Sequence, residues 1–238
     1  MPSFKPLLVV AGVGKGGGTG AATARAFAKE GYSIALIARG ADSLKSLEDE
    51  LRASGVEATA FRSLPTNMSL YDPPFKRSVT DTQPSNTVSA QPSTTPHTGI
   101  NGGFAFAKEV ISEYKNNEID NTDGLGKRGV LIFTGATASV RGNTTTSAFA
   151  AGKFALRALS QSLAKEFGKD NIHVSHAIVD GAIVTPQGRE QFNNPPIYDS
   201  QDQSLTPEGI SAAYVYLAKQ PRSAWTWELD LRPAHEKW

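Results

Sequence analysis

The stretch PLLVVAGVGKGGGTGAATARAFAKEG, residues 6–31, decides the fold class. It opens with a short, continuous apolar run, which predicts a strand buried on both faces of a sheet. Glycines follow at once, and then Ala24, Phe27 and Ala28 recur at helical spacing before Gly31, a helix stop signal. A buried strand, a glycine-rich turn and a helix in this order predict the first unit of a parallel α/β sheet.

The same alternation of strand and helix continues along most of the chain. Apolar runs bounded by turn residues predict further strands at 32–39, 56–63, 129–135, 172–184 and 225–233. Amphipathic patterns predict further helices at 41–55, 102–114, 147–167 and 206–220. We therefore predict an α/β fold with a doubly wound parallel sheet, and a length of 238 residues suits a single domain over 1–238.

The alternation fails over residues 68–99, which we predict as an irregular loop within the domain. Between Ser78 and Thr98, 13 of 21 residues are Ser, Thr or Pro, and none is aromatic. Such a composition buries too little apolar surface to offset the entropy of ordering it. A loop of this length is unusual in a compact domain, so the segment is a functional lid, a degenerate insert or translated sequence foreign to the fold.

The glycine loop at residues 11–20 is predicted to bind a dinucleotide. Glycines there let the backbone turn sharply and approach a pyrophosphate, which then sits at the positive N-terminus of the helix. The spacing GxxxGxG fits twice, as Gly12, Gly16 and Gly18 or as Gly14, Gly18 and Gly20. Both registers hold if the loop carries about two extra residues.

Two cations near this loop favour NADP(H) over NAD. An acidic residue at the end of the second strand binds the ribose 2′-hydroxyl of NAD, whereas an arginine accommodates the 2′-phosphate of NADP. Arg39 stands at that strand end, and no carboxylate follows before Asp42. Lys15 adds a second cation from the loop itself.

Composition excludes several other classes. Lys and Arg total 24 against 23 Asp and Glu, a net charge of +1 that predicts neither a nucleic-acid-binding nor a membrane-binding surface. The chain has no cysteine, which excludes thiolate catalysis and disulfides, and its histidines lack metal-ligand spacing, so no metal is predicted. The apolar N-terminal run is too short for a signal peptide, and we expect a soluble, cytoplasmic protein.

The helix predicted at 147–167 carries a charged residue on its apolar face. Phe149, Leu156 and Ser160 recur at helical spacing, and Lys153 lies on the same face one turn after Phe149. A buried ammonium group must find a partner, reach water or lose its charge. Lys153 is therefore a candidate site residue.

The glycine loop, Lys153 in a late helix and the strand IHVSHAIVDGAIVT together resemble the short-chain dehydrogenase/reductase family. The resemblance covers residues 5–67 and 100–238. It implies a Rossmann-type sheet, hydride transfer between a nicotinamide and a carbonyl or alcohol, and a catalytic tetrad of Asn, Ser, Tyr and Lys. It also implies a homodimer or homotetramer, formed through the helices that begin near Gly103 and Ser147.

The resemblance assigns most of the cofactor site. Lys153 matches the lysine that holds the nicotinamide ribose, and Asn101 matches the tetrad asparagine. The cofactor contacts implied elsewhere are Asn67 and Met68 at the adenine, and Gly181 and Thr185 at the carboxamide, with Asp180 where the family usually has proline.

The resemblance fails at the proton donor. Phe149 stands where the family has tyrosine, four residues before Lys153, and the serine position falls at Ala136, with Thr137 and Ser139 as neighbouring hydroxyls. Phe149 with a retained lysine is similar to a subgroup of the family that has phenylalanine for the tyrosine. Phenylalanine has no O–H group to protonate a developing alkoxide.

We therefore predict an NADP(H)-dependent oxidoreductase that acts on a small carbonyl or alcohol, with a weakened or reassigned proton donor. The alternative is an NADP(H)-binding protein without turnover, which would act as a sensor, a scaffold or a partner subunit.

Overall fold

The structure is a computed structural model that describes residues 5–62, 86–90, 96–119, 121 and 124–236. For residues 86–90 and 96–99 it describes the backbone alone. Asn67 and Met68, which are predicted to contact the adenine, lie outside these residues.

The first half of the chain alternates strands and helices as the apolar pattern predicts. Its elements are β1 (Leu7–Ala11), α1 (Thr19–Lys29), β2 (Ser33–Ala38), α2 (Ala41–Ala53) and β3 (Ala58–Arg62). Gly31 and Gly55 follow the two helices with φ of 88° and 82°, values that favour glycine and end each helix as expected.

The second half continues the alternation to the end of the chain. Its elements are β4 (Asn86–Ala90), α3 (Pro96–Asn116), β5 (Gly129–Thr134), α4 (Ser147–Phe167), β6 (Ile172–Val179), α5 (Pro186–Gln191), α6 (Pro207–Ala218) and β7 (Glu228–Leu231). Thr206 caps α6 by accepting a hydrogen bond from the Gly209 amide, and Pro207 takes the first helical position, as predicted.

The seven strands form one parallel sheet in the order β3-β2-β1-β4-β5-β6-β7. The strand order reverses at β1 and β4, so the carboxyl ends of these two strands border the crevice where such sheets bind ligands. The predicted α/β class with a doubly wound parallel sheet is confirmed.

Apolar residues cover both faces of the sheet. One cluster joins the sheet to α1, α2 and α6 through residues such as Phe27, Leu47 and Tyr214. The other joins it to α3 and α4 through residues such as Phe106 and Leu156. Successive residues of the strands face opposite clusters, which explains why their sequences are continuously apolar.

The irregular loop predicted at 68–99 differs from the structure in two places. Residues 86–90 form the central strand β4, which pairs with β1 on one side and β5 on the other. Helix α3 begins at Pro96, whereas the pattern predicts a start at Gly102. Two parallel neighbours supply the hydrogen bonds for a short polar strand, and this tertiary contribution outweighs the weak strand propensity of its sequence.

None of the helices in the described residues is long and apolar enough to span a membrane.

Candidate functional site

The turn between β1 and α1 brings two glycines into close contact. A Cβ on Gly20 would lie 2.3 Å from the carbonyl oxygen of Gly12, so only glycine fits there. Gly12, Gly14 and Gly16 have φ of 98°, 60° and 88°, and Gly18 is the N-cap residue of α1. The loop therefore uses glycines of both predicted registers, with Gly12 and Gly20 as the pair in contact.

The N-terminus of α1 begins at the end of the glycine loop. The first turn of α1 contains no acidic side chain, and its N-cap residue, Gly18, has no side chain that could cap the first amides. The positive end of the helix dipole and the free amides of the first turn are thus available to an anion. A pyrophosphate fits this arrangement because a Cβ built on Gly14, Gly16 or Gly18 would meet no atom of the described residues within 4 Å, so the loop has room for a ligand.

Cationic side chains lie at the carboxyl ends of the neighbouring strands. Arg39 directly follows β2 and is exposed, as is Lys15 in the glycine loop. A third cation, Arg62, was missed by the sequence analysis. It pairs in register with Ala38, and its Nε donates a hydrogen bond to the Arg39 carbonyl at 3.3 Å. Its position at the end of β3 is the signal that could have identified it.

Helix α4 buries Lys153 against the end of β5. Its Nζ donates a hydrogen bond to the Thr134 carbonyl at 2.9 Å, and the residue is only 9% exposed. Burial lowers the pKa of Lys153 from 10.5 to about 8, because the ammonium form is poorly solvated there. Lys153 is therefore a buried cation at the carboxyl end of the sheet.

Phe149 accompanies Lys153 on the same face of α4. The Lys153 Nζ lies 5.7 Å from the centre of the Phe149 ring, within range of a cation–π contact. Phe149 is partly exposed, so its ring borders the open side of this position. The side chain that stands beside the lysine therefore offers a π-face and no proton.

The hydroxyls near Ala136 have separate roles in a short 3₁₀ turn, Thr137–Ser139, that follows β5. Ser139 is fully buried, and its Oγ accepts a hydrogen bond from the Ala136 amide at 3.1 Å. Thr137 is partly exposed and donates its hydroxyl to the Asp180 carboxylate. Of the two predicted hydroxyl residues, Thr137 is the more exposed.

Asn101 lies in the second turn of α3, which begins at Pro96, and it is exposed. Its predicted role in the tetrad stays a prediction.

The segment after β6 packs directly on the glycine loop. A Cβ on Gly17 would lie 2.7 Å from the Pro186 ring, which shows how closely the two segments approach. Thr185, predicted to contact the cofactor, is the N-cap of α5, and its Oγ1 accepts a hydrogen bond from the Gly188 amide at 2.9 Å. Gly181 directly follows the buried Asp180 at the end of β6. The structure thus brings Gly181 and Thr185 to the same edge of the sheet as the glycine loop.

Asp180 is buried between two arginines, Arg141 and Arg232. Its side chain is 1% exposed, and its Oδ2 lies 2.7 Å from Nη1 of Arg232. Its Oδ1 lies 3.8 Å from Nη2 of Arg141 and accepts the Thr137 hydrogen bond. A carboxylate at this depth needs such partners, so Asp180 ties together the segments that follow β5, β6 and β7.

A second polar cluster holds α4 on the sheet one turn beyond Lys153. Arg157 binds both carboxylate oxygens of Glu228 at 2.7 Å, and Nδ1 of the buried His176 lies 2.9 Å from Glu228 Oε2. Burial lowers the pKa of His176. Burial alone would raise the pKa of Glu228, but the hydrogen bonds from Arg157 and His176 outweigh this effect, so the pKa of Glu228 is lowered. This bidentate pair fixes α4, and with it Lys153, relative to β6 and β7. No role for His176 is predicted from the sequence. In the described part of the chain, no group of residues could hold a metal ion.

Comparison with known proteins agrees with this architecture. The protein-family model described as enoyl-(acyl carrier protein) reductase, one of the short-chain dehydrogenase models, matches residues 85–228, more than half of the chain. The uncharacterized oxidoreductase YxnA of Bacillus subtilis is 25% identical over 239 positions, which cover 90% of this chain and 63% of YxnA. The chain thus spans less than two thirds of the length of that relative.

Solved structures give the same result. A short-chain dehydrogenase from Rhodopseudomonas palustris is 28% identical, with a TM-score of 0.62 and coverage of 96% of this chain and 98% of that one. An alcohol dehydrogenase from the archaeon Thermococcus sibiricus, solved with 5-hydroxy-NADP, shares the fold at 21% identity and a TM-score of 0.72, over 98% of both chains.

A doubly wound parallel sheet with a glycine loop after its first strand defines the Rossmann-type class of fold. Within that class, the matching family model shows that this chain belongs to the short-chain dehydrogenase/reductase family.

Proposed function

We propose that this protein is an NADP(H)-dependent oxidoreductase that acts on a small carbonyl or alcohol. The observation that carries the proposal is the close Gly12–Gly20 contact at the N-terminus of α1, which we call the Gly12–Gly20 cradle, with Arg39 and Arg62 at the neighbouring strand ends. The cradle suits a pyrophosphate, and the two arginines suit a 2′-phosphate because guanidinium groups bind phosphate oxygens through paired hydrogen bonds.

Lys153 is the residue that we assign to the nicotinamide end. It lies at the end of β5, held by the Thr134 carbonyl, on the same edge of the sheet as Gly181 and Thr185. An ammonium group there would hold a ribose hydroxyl by hydrogen bonding. When bound, NADPH would supply the hydride, so the chain itself needs to orient the substrate and provide a proton.

Lys153 is also the best proton donor that the site contains. A pKa of about 8 keeps most of this side chain protonated at neutral pH while making it a far stronger acid than a threonine hydroxyl. Phe149 cannot donate a proton, and the Thr137 hydroxyl already donates to Asp180. We therefore infer that Lys153, directly or through a water molecule, protonates the alkoxide that forms when a carbonyl is reduced.

Such a site would work slowly. General acid catalysis by a well-positioned group contributes about a hundredfold to ten-thousandfold to the rate. A lysine that must also hold the cofactor is less well placed than a dedicated tyrosine hydroxyl, so low turnover numbers are expected.

The full chain with NADPH and a panel of small aldehydes and ketones, followed by NADPH oxidation, tests this proposal. Oxidation above the rate without protein, lost in Lys153→Met, is the expected result. Binding of NADPH without oxidation of any panel member would favour the non-catalytic alternative, and no binding at all would contradict both.

We further propose that two or four copies associate through α3 and α4. Phe104 on α3 and Phe154 on α4 are 58% and 42% exposed on helices that pack side by side. Large apolar side chains exposed on adjacent helices favour association. Sedimentation of the wild type and of Phe104→Ser at equal concentration tests this, with dissociation expected for the variant.

A further inference from the structure

We propose that Arg141 selects carbonyl substrates that carry a carboxylate group. The inference rests on the proposed function, since it names the substrate class of that same site. It rests on the position of Arg141, on the unused hydrogen-bond donors of its guanidinium group and on the ion pair between the neighbouring Asp180 and Arg232.

Arg141 lies beside the position where the reaction is expected. Its guanidinium is 3.8 Å from Asp180 Oδ1, the carboxylate that also accepts the Thr137 hydroxyl. Thr137 directly follows Ala136, the residue at the serine position of the family, and Gly181 directly follows Asp180. A group bound by Arg141 would therefore lie next to a carbonyl placed between Lys153 and Thr137.

The guanidinium of Arg141 has hydrogen-bond donors to spare. A separation of 3.8 Å exceeds hydrogen-bond distance, and within the described ranges the guanidinium donates no hydrogen bond. The side chain is 45% exposed. By contrast, Arg232 is 17% exposed and pairs with Asp180 at 2.7 Å and Asp230 at 2.9 Å. Asp180 is thus compensated mainly by Arg232, which leaves Arg141 able to bind another anion.

The planar fork of arginine suits a carboxylate. Two parallel N–H groups bind both oxygens of a carboxylate at once, and such charge-assisted pairs are stronger than neutral hydrogen bonds. An ester of the same shape carries no charge and offers weaker acceptors. An oxo acid should therefore bind better than its methyl ester.

Steady-state kinetics on two matched pairs, pyruvate with methyl pyruvate and levulinate with methyl levulinate, tests the inference. In the wild type with saturating NADPH, the KM of each acid should be about tenfold lower than that of its ester. Arg141→Gln should remove this difference by raising the KM of the acid, and Arg141→Lys should restore part of it. Arg222→Gln is the matched control, because Arg222 is an exposed arginine beside Asn171, before β6, at the opposite edge of the sheet.

Equal use of acid and ester by the wild type, or a preference for the ester, overturns the inference. An acid preference that persists in Arg141→Gln also overturns it. Should NADPH bind without turnover, calorimetric titration of pyruvate and levulinate into the NADPH complex decides the question by the same comparison. Absence of NADPH binding contradicts the proposed function and this inference together, whereas NADPH binding without acid preference contradicts this inference alone.

Discussion

Lys153 and Phe149 lie one helical turn apart on α4, with the Lys153 Nζ 5.7 Å from the centre of the Phe149 ring. The lysine is buried and hydrogen-bonded to the Thr134 carbonyl, while the ring borders the open side. The helix thus places a cation where a nicotinamide ribose is expected and an apolar ring where the family has its acid.

Phe149→Tyr should raise the rate of carbonyl reduction by roughly a hundredfold, because the phenol would supply the missing proton beside a cation that lowers its pKa. The measurement is single-turnover oxidation of bound NADPH by an aldehyde. Phe167→Tyr, on the last turn of the same helix, is the control and should leave the rate unchanged. An unchanged rate in Phe149→Tyr with intact NADPH binding would mean that the active site has been placed wrongly.

The buried ammonium of Lys153 should make stability depend on pH. Below pH 8 both folded and unfolded chains are protonated, so the folded state bears the full cost of the buried charge. Between pH 8 and 10.5 only the unfolded chain holds the proton, so the stability contributed by this group rises with pH. The effect on the free energy of unfolding is about 3 kcal/mol, since one pKa unit corresponds to about 1.4 kcal/mol.

Urea denaturation of the wild type and of Lys153→Met at several pH values measures this effect. The free energy of unfolding of Lys153→Met should exceed that of the wild type by the largest amount below pH 8. This difference should shrink as the pH approaches 10.5. Lys165→Met, an exposed change on the same helix, should show no such trend. A difference between wild type and Lys153→Met that is independent of pH would contradict the burial of the charge.

Asp180→Asn should destabilise the fold by about 3 kcal/mol, because it removes the carboxylate of a buried ion pair with Arg232, whose other ion pair, with Asp230, is at a more exposed carboxylate. Asp199→Asn is the comparison, since the Asp199 side chain is 65% exposed in its pair with Arg189. That surface pair should be worth about 1 kcal/mol or less. Equal midpoints of urea denaturation for the two variants would show that Asp180 does not join the strand ends as described.

Arg39→Gln should weaken NADPH binding by about tenfold and leave NADH binding unchanged, because only NADPH carries the phosphate that a guanidinium would bind. Fluorescence titration with each cofactor measures this. Lys45→Gln, an exposed change on α2, should alter neither affinity. Equal weakening for both cofactors would assign Arg39 a structural role.

Much of the fold follows from local sequence. The apolar runs around Val9, Leu36 and Leu131 are strands because both faces of a parallel sheet are buried, and a continuous apolar run reports this directly. The strand β4 could not be predicted in the same way. Its residues NTVSA are mostly polar, and its place depends on pairing with β1 and β5, which a local pattern cannot show.

Some residues of the candidate site can likewise be predicted from the local sequence, and others cannot. The glycine loop and Lys153 stand out because each breaks the local pattern around it. The partners of Asp180 could not be predicted, because Thr137, Arg141 and Arg232 follow two different strands and meet only when β5, β6 and β7 lie side by side. Arg62 stands at the end of the predicted third strand, so its position could have been used, but its contact with Arg39 depends on the register of β2 and β3, which a local pattern cannot show.

The central claim is that the Gly12–Gly20 cradle binds NADP(H), and calorimetric titration of the full chain with NADPH and with NADH tests it most directly. We expect NADPH to bind at one site per chain with an affinity about tenfold or more above that of NADH, and Gly20→Ala to abolish binding, since the added Cβ would lie 2.3 Å from the Gly12 carbonyl. No heat of binding with either cofactor, or unchanged binding in Gly20→Ala, would contradict the account.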